Sequence, residues 1–296
     1  MVEAILVSGA NGLLGRAVCK KLVEMRHDVL GIVRGSVREP IPGVDYIELD
    51  LVSDWSIACL PERVDRVIHL AQSSHYREFP IKALDVFRVN VDSTARLLDY
   101  SRGCGARQFI FASSGGVYGN GSNAFDEASP MVPIGQLGYY LGSKACGEIL
   151  AQSYTSVFQV TIIRPFFMYG PGQNRGMLIP RLIDSVLNHK PVDLQGESGI
   201  RINPVHVCDA SEAVCGSMKH TQSALFNIAG GEVLSIRDIC CEIGAKFGTV
   251  PVFRFMPGEP KDLIGDITAM KTLLHIPTRR FVDSLNEITP LPGGNQ

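Results

Sequence analysis

Close to the N-terminus, a strand-like run over residues 2–7 breaks into Ser8-Gly9-Ala10-Asn11-Gly12-Leu13-Leu14-Gly15 and passes directly into a helical pattern. No other feature constrains the fold as strongly. Gly9, Gly12 and Gly15 fall at a strand-to-helix junction, where missing side chains let an anion approach the free amides and the positive end of the helix dipole. The spacing therefore predicts a cradle for a pyrophosphate, with Asn11 in the turn and the amides of Leu13 and Leu14 facing the ligand. Leu14, Val18, Leu22 and Met25 then recur at helical spacing, as a crossover helix packed on a sheet requires.

The same alternation continues. Residues 28–34, 45–50, 65–71, 108–114 and 159–165 read as strands, and 82–102 and 138–157 as helices, which predicts an α/β doubly wound parallel sheet of the Rossmann kind. Beyond Pro165 the chain becomes richer in Gly and Pro, with a helix near 177–189, a strand-like Pro204-Val205-His206-Val207 and a further strand at 225–230. We expect a dinucleotide-binding domain over 1–165 and a smaller substrate-binding region over 166–296, of which 203–230 returns to the Rossmann core. A hydrophobic content of 45% with 20% charged residues supports a large core. The net charge of −2 supplies no basic field for nucleic acid. No apolar stretch approaches the roughly 20 residues a membrane helix needs. The eight cysteines contain no CxxC pair, and with no charged leader ahead of the first strand they read as reduced thiols of a cytoplasmic protein.

The second strand ends at Arg34, where an NAD enzyme usually places an acid for the ribose 2′-hydroxyl. A guanidinium there, with Arg38 nearby, favours the 2′-phosphate of NADP while leaving NAD open. Asp50 and Leu51 after the third strand, and Leu70, Ala71 and Gln72 after the fourth, fall at carboxyl ends where an adenine and its ribose would lie. His69 reads as a packed strand residue. Tyr140 and Lys144 are four residues apart, on one face of a helix. Moving a phenol from its usual pKa near 10 to neutrality takes roughly 4 kcal/mol. An ammonium about 5 Å away supplies roughly 3 kcal/mol at an effective dielectric of about 20. The pair thus suits a general base, and Ser113 and Ser114 stand at the sheet edge beside it, where a hydroxyl can hold the reacting oxygen.

Taken together, GANGLLG, the HLA at 69–71, Asn90 in RVNVDSTARLL, SSGGVYG, YLGSK, RPFFMYGPGQ and PVHVCDASEA resemble, in order and spacing, the extended short-chain dehydrogenase/reductase superfamily, in particular its nucleotide-sugar epimerases and dehydratases. The resemblance covers nearly the whole chain. It implies Tyr140 as acid/base, Lys144 as ligand of the nicotinamide ribose, Ser114 as the residue polarising the substrate oxygen, Asn90 as a cofactor contact and Pro165 and Phe166 as the lining of the nicotinamide side. It also implies a nucleotide-sugar substrate and a homodimer.

Three departures bear on the substrate. Gly115 and Gly116 stand where dehydratases carry an acidic pair, which disfavours elimination. Phe167 replaces the asparagine that contacts the sugar nucleotide, and Arg201 stands one residue earlier than the arginine expected at the diphosphate. His206 and Asp209 read as structural. The expectation is hydride transfer at C4 of a nucleotide-linked hexose. A ketoreductase acting on a substrate without a nucleotide, and a dinucleotide sensor without chemistry, stay open.

Overall fold

The computed structural model describes residues 1–288. In chain order the strands are β1 (Ala4–Ser8), β2 (Asp28–Val33), β3 (Val44–Glu48), β4 (Arg66–His69), β5 (Gln108–Ala112), β6 (Gln159–Pro165), β7 (Met168–Tyr169), β8 (Val192–Gln195), β9 (Arg201–Ile202), β10 (Val205–His206), β11 (Ala224–Ile228), β12 (Leu234–Ser235) and β13 (Phe253–Met256). The helices are α1 (Leu13–Glu24), α2 (Ala83–Phe87), α3 (Ser93–Gly103), α4 (Gly138–Gln152), α5 (Leu178–Leu187), α6 (Val207–Ser217), α7 (Ile236–Phe247), α8 (Thr268–Leu273) and α9 (Phe281–Ile288). A π turn at Arg88–Asp92 joins α2 to α3 without a break.

Seven strands form one sheet in the order β11-β6-β5-β4-β1-β2-β3, with every pairing parallel. Parallel neighbours need crossovers, and the crossover helices bury both sheet faces. The side chains of β1 record this: Ile5 and Val7 pack with Val18 and Leu22 of α1 and Val214 of α6, whereas Leu6 packs with Leu97 and Leu98 of α3. Strand order reverses at β1, which pairs with β2 on one side and β4 on the other. The crevice at the carboxyl ends of β1 and β4 is therefore the topological switch point, and the glycine turn opens into it.

A third cluster, including Leu182 and Ile183 of α5, Ile239 and Ile243 of α7 and Phe281 and Leu285 of α9, forms the core of the region after β6. The Pro204–Val207 stretch gives only two strand residues. His206 ends them by accepting the Cys208 amide on its ring nitrogen at 3.3 Å, which caps α6. β4 also stops earlier than expected, because the Ala71 amide turns from the strand ladder to the Ser8 hydroxyl at 3.3 Å.

Candidate active site

The glycine turn has two kinds of glycine. Gly9 has φ +72°, and a Cβ on it would lie 2.8 Å from the Ala71 backbone nitrogen. A Cβ on Gly15 would lie 2.0 Å from the Gly9 carbonyl oxygen. Both are needed for α1 to pack close to β1 and β4. Gly12 is open by comparison, with only the Gly9 carbonyl oxygen 3.2 Å from a Cβ, so its lack of a side chain clears the space ahead of α1. As the N-cap of α1 it offers no side-chain bond, and the first turn carries no acid, which leaves the Leu13 and Leu14 amides for ligand oxygens. Asn11 faces aside, accepting from Arg16 at 3.1 Å. The turn thus fits a dinucleotide pyrophosphate.

At the end of β2, Arg34 is exposed, and among the described residues its guanidinium donates to the Ser74 hydroxyl alone, at 3.4 Å. Asp50 closes the turn after β3 by accepting the Val52 amide at 3.0 Å, and Leu51 beside it is buried. Leu70 and Ala71 lie at the end of β4 along the glycine turn. His69 is fully packed between Ser8, at 2.5 Å, and Thr94, at 2.9 Å, and burial with Lys144 nearby pushes its pKa down to about 3. Asn90 uses both ends of its amide inside the protein, accepting the Ser73 amide at 3.0 Å and donating to the Ser143 hydroxyl at 2.9 Å. It ties the loop after β4 to α4.

Tyr140 and Lys144 project from α4, and Ser114 follows β5. The Tyr140 hydroxyl donates to Gln72 Oε1 at 3.0 Å and also meets the Ser114 hydroxyl. Ser114 Oγ in turn accepts the Gly116 amide at 3.2 Å. Next to it, Ser113 Oγ is buried and has no hydrogen-bond partner among the described residues. Lys144 is buried, and its ammonium donates to the Ala112 carbonyl at 2.9 Å over the Phe111 ring. Burial pushes the Lys144 pKa down to about 8 against the opposing pull of Glu148.

The sequence led us to expect an ammonium lowering the phenol's pKa, and this arrangement differs. Burial, helped by Tyr76, holds the Tyr140 phenol above its ordinary value, and the groups that oppose it are Ser114 and Arg77. Helical spacing puts both residues on one face, but the long lysine stem carries its charge to a strand carbonyl. Glu148, one turn beyond Lys144, is locked to Arg164 of β6 by bonds of 2.9 and 2.6 Å, with both side chains buried. This pair fixes α4 against the strand that ends at Pro165.

On the substrate side, Phe166 is a core residue at 1% exposure and not a lining ring. A Cβ on Gly115 would lie 2.5 Å from its ring, so a side chain in place of this glycine would require the buried ring to move. Phe167 holds a non-glycine φ of +31° and packs between two core clusters. The Arg201 guanidinium is engaged by Asp262 at 2.8 and 2.6 Å, on the wall of a cavity of about 460 Å³ that Ser122, Ser198 and Ser235 also line. Asp209 accepts from His275 at 2.8 Å and from the Thr278 and Arg279 amides, and His206 caps α6; both hold the fold together.

Tyr76 was not found from the sequence. Its ring packs on Tyr140 with centroids 4.9 Å apart, and its hydroxyl donates to Met177 Sδ at 3.3 Å. No period or motif marks it, since it lies in an irregular loop. Among the described residues there is no cluster of His, Cys, Asp and Glu able to hold a metal, and no helix is long and apolar enough to cross a membrane.

The model of the NAD dependent epimerase/dehydratase family matches residues 5–229. An uncharacterized UDP-glucose epimerase of Bacillus subtilis, YtcB, is 29% identical over 97% of each chain. The structure of UDP-glucuronic acid 4-epimerase from Bacillus cereus in complex with NAD superposes with a TM-score of 0.84 at 27% identity, covering 96% of this chain and 94% of that one. The structure of MoeE5 with UDP-glucuronic acid and NAD gives a TM-score of 0.82 at 26% identity, covering 96% and 97%.

Proposed function

Because the chain belongs to the NAD-dependent epimerase/dehydratase family of extended short-chain dehydrogenases, we propose that it inverts C4 of a nucleotide-linked hexose, with Tyr140 as the proton-transfer group. The observation that carries this is the Tyr140 hydroxyl, held between Gln72 and Ser114 at the carboxyl edge of the sheet. Tyr140 takes the C4 hydroxyl proton and later returns it, while Ser114 holds the same oxygen. Lys144, anchored on Ala112, presents its ammonium to the nicotinamide ribose. When bound, the nicotinamide supplies the hydride acceptor and a positive charge that favours the phenolate. The 4,6-dehydratases among the relatives are a poorer guide to the chemistry, because a side chain at position 115 would require the buried Phe166 ring to move.

Hydride return separates an epimerase from a reductase. With UDP-glucose or UDP-glucuronate deuterated at C4, we expect the epimeric product to keep its deuterium with no net change in the dinucleotide. Stoichiometric accumulation of reduced dinucleotide together with the 4-keto sugar would assign the protein to the net oxidoreductases.

NAD is supported by the solved neighbours, which contain it, and Arg34 alone favours NADP. Arg34→Asp is expected to weaken NADP binding at low salt about tenfold or more, since a carboxylate repels the 2′-phosphate, and to leave NAD binding nearly intact. Equal effects on both dinucleotides in a fluorescence titration would move the 2′ position away from Arg34. A homodimer is supported by an exposed apolar surface made by Phe79, Ile81, Leu84 and Phe87 around α2 and Ile149 on α4, where a second copy would cover it. Light scattering reads the mass directly.

A further inference from the structure

The loop after β4 crosses the active site and reaches the segment ahead of α5. Tyr76 spans from the Tyr140 ring to Met177, Phe79 stacks on Tyr139 at 4.9 Å, and the Arg77 guanidinium sits 5.2 Å from the Tyr76 ring centre and donates to the Gly176 carbonyl at 3.5 Å. The other cations around the site already have stronger partners. Lys144 holds Ala112, Arg164 holds Glu148, Arg175 holds Asp184, and Arg201 holds Asp262. Among the described residues, Arg77 meets no carboxylate. Among the same residues its partners are a long bond to one carbonyl and the face of a ring, and the side chain is otherwise exposed to solvent, so its guanidinium is available to a ligand.

We infer that Arg77 is a specificity-determining residue that pairs with a carboxylate on the substrate sugar, so that the favoured substrate is a nucleotide-linked uronic acid over the neutral hexose. A sugar presenting C4 to the Tyr140 hydroxyl has its C5 substituent one bond further along the ring, and in this proposal that substituent lies toward the Tyr76–Arg77 strap, whose Tyr76 ring packs on Tyr140. A neutral hydroxymethyl group leaves the guanidinium on its weak partners, whereas a carboxylate gives it a bidentate, charge-assisted contact. Arg77 lies against the Tyr76 ring, which itself packs on the Tyr140 ring, so the guanidinium is near the phenol. This assignment rests on the epimerase reading for the position of the sugar.

Binding tests the assignment independently of turnover. Tyr140→Phe protein loaded with dinucleotide, with and without Arg77→Ala, would be titrated calorimetrically with UDP, UDP-glucose and UDP-glucuronate. The expected result is about tenfold tighter binding of UDP-glucuronate than of UDP-glucose, a difference that Arg77→Ala erases and Arg77→Lys partly restores. Equal affinities for the two sugars in the parent would overturn it. So would an Arg77→Ala variant that weakens all three ligands alike, since the guanidinium would then serve the diphosphate. Failure of all three to bind would overturn it together with the nucleotide-sugar reading, whereas the expected binding pattern here combined with no epimerisation by protein that keeps Tyr140 would overturn only the epimerase chemistry.

Discussion

Tyr140→Phe is expected to lose about a hundredfold to ten-thousandfold in kcat, toward the upper end because Lys144, on the same helix face, is turned to the Ala112 carbonyl. The ring stays, and with it the contact to Tyr76, so folding and dinucleotide affinity should match the parent. What disappears is a hydroxyl bonded to Gln72 and Ser114. Because burial holds this phenol above its ordinary value, the protein without dinucleotide should show no Tyr140 phenolate absorbance even at about pH 9. Adding the oxidised dinucleotide should bring that absorbance in at lower pH in the parent and leave the Phe variant flat. A variant that kept a tenth of parental turnover would remove Tyr140 from the proton transfer.

The second large effect concerns stability. Glu148→Ala strips the partner from Arg164, whose side chain is 4% exposed, and leaves an uncompensated charge between α4 and β6. Breaking such a pair costs about 3–5 kcal/mol. Urea unfolding should show this as a lower midpoint, and replacing both residues by apolar ones of similar volume should recover most of it. Glu148 also holds the Lys144 pKa up, against burial. Without it the ammonium loses its proton below about 8, so the alkaline limb of the activity profile should move to lower pH. An unchanged midpoint would mean that the pair contributes nothing net. An unchanged pH profile with a lowered midpoint would separate the scaffold role from the electrostatic one.

Much of this site is legible in the sequence because it depends on local geometry. A glycine at position 9 is required by the left-handed turn, and the period of Leu14, Val18 and Leu22 sets the face of α1. What sequence could not supply is where long side chains end. The spacing of Tyr140 and Lys144 was readable, but not the Ala112 carbonyl that captures the ammonium, because β5 and α4 meet only in the folded state. Phe166 follows the same rule. The resemblance implied a cofactor contact for it, whereas Gly115 and Gly265, distant in sequence, open the space that buries it. The Tyr76–Arg77 strap left no trace at all, since loop paths are set by what they pack on.

Gly9 touches Ala71 so closely that no other residue would fit. The cradle therefore exists only while β1 and β4 are paired, and a chain opened between them has nothing to offer a dinucleotide. A ligand that binds only the closed form stabilises it by about 2.7 kcal/mol at a hundredfold excess over Kd. Bound dinucleotide should therefore slow proteolysis of the purified protein, most of all at cuts that require β1 and β4 to part.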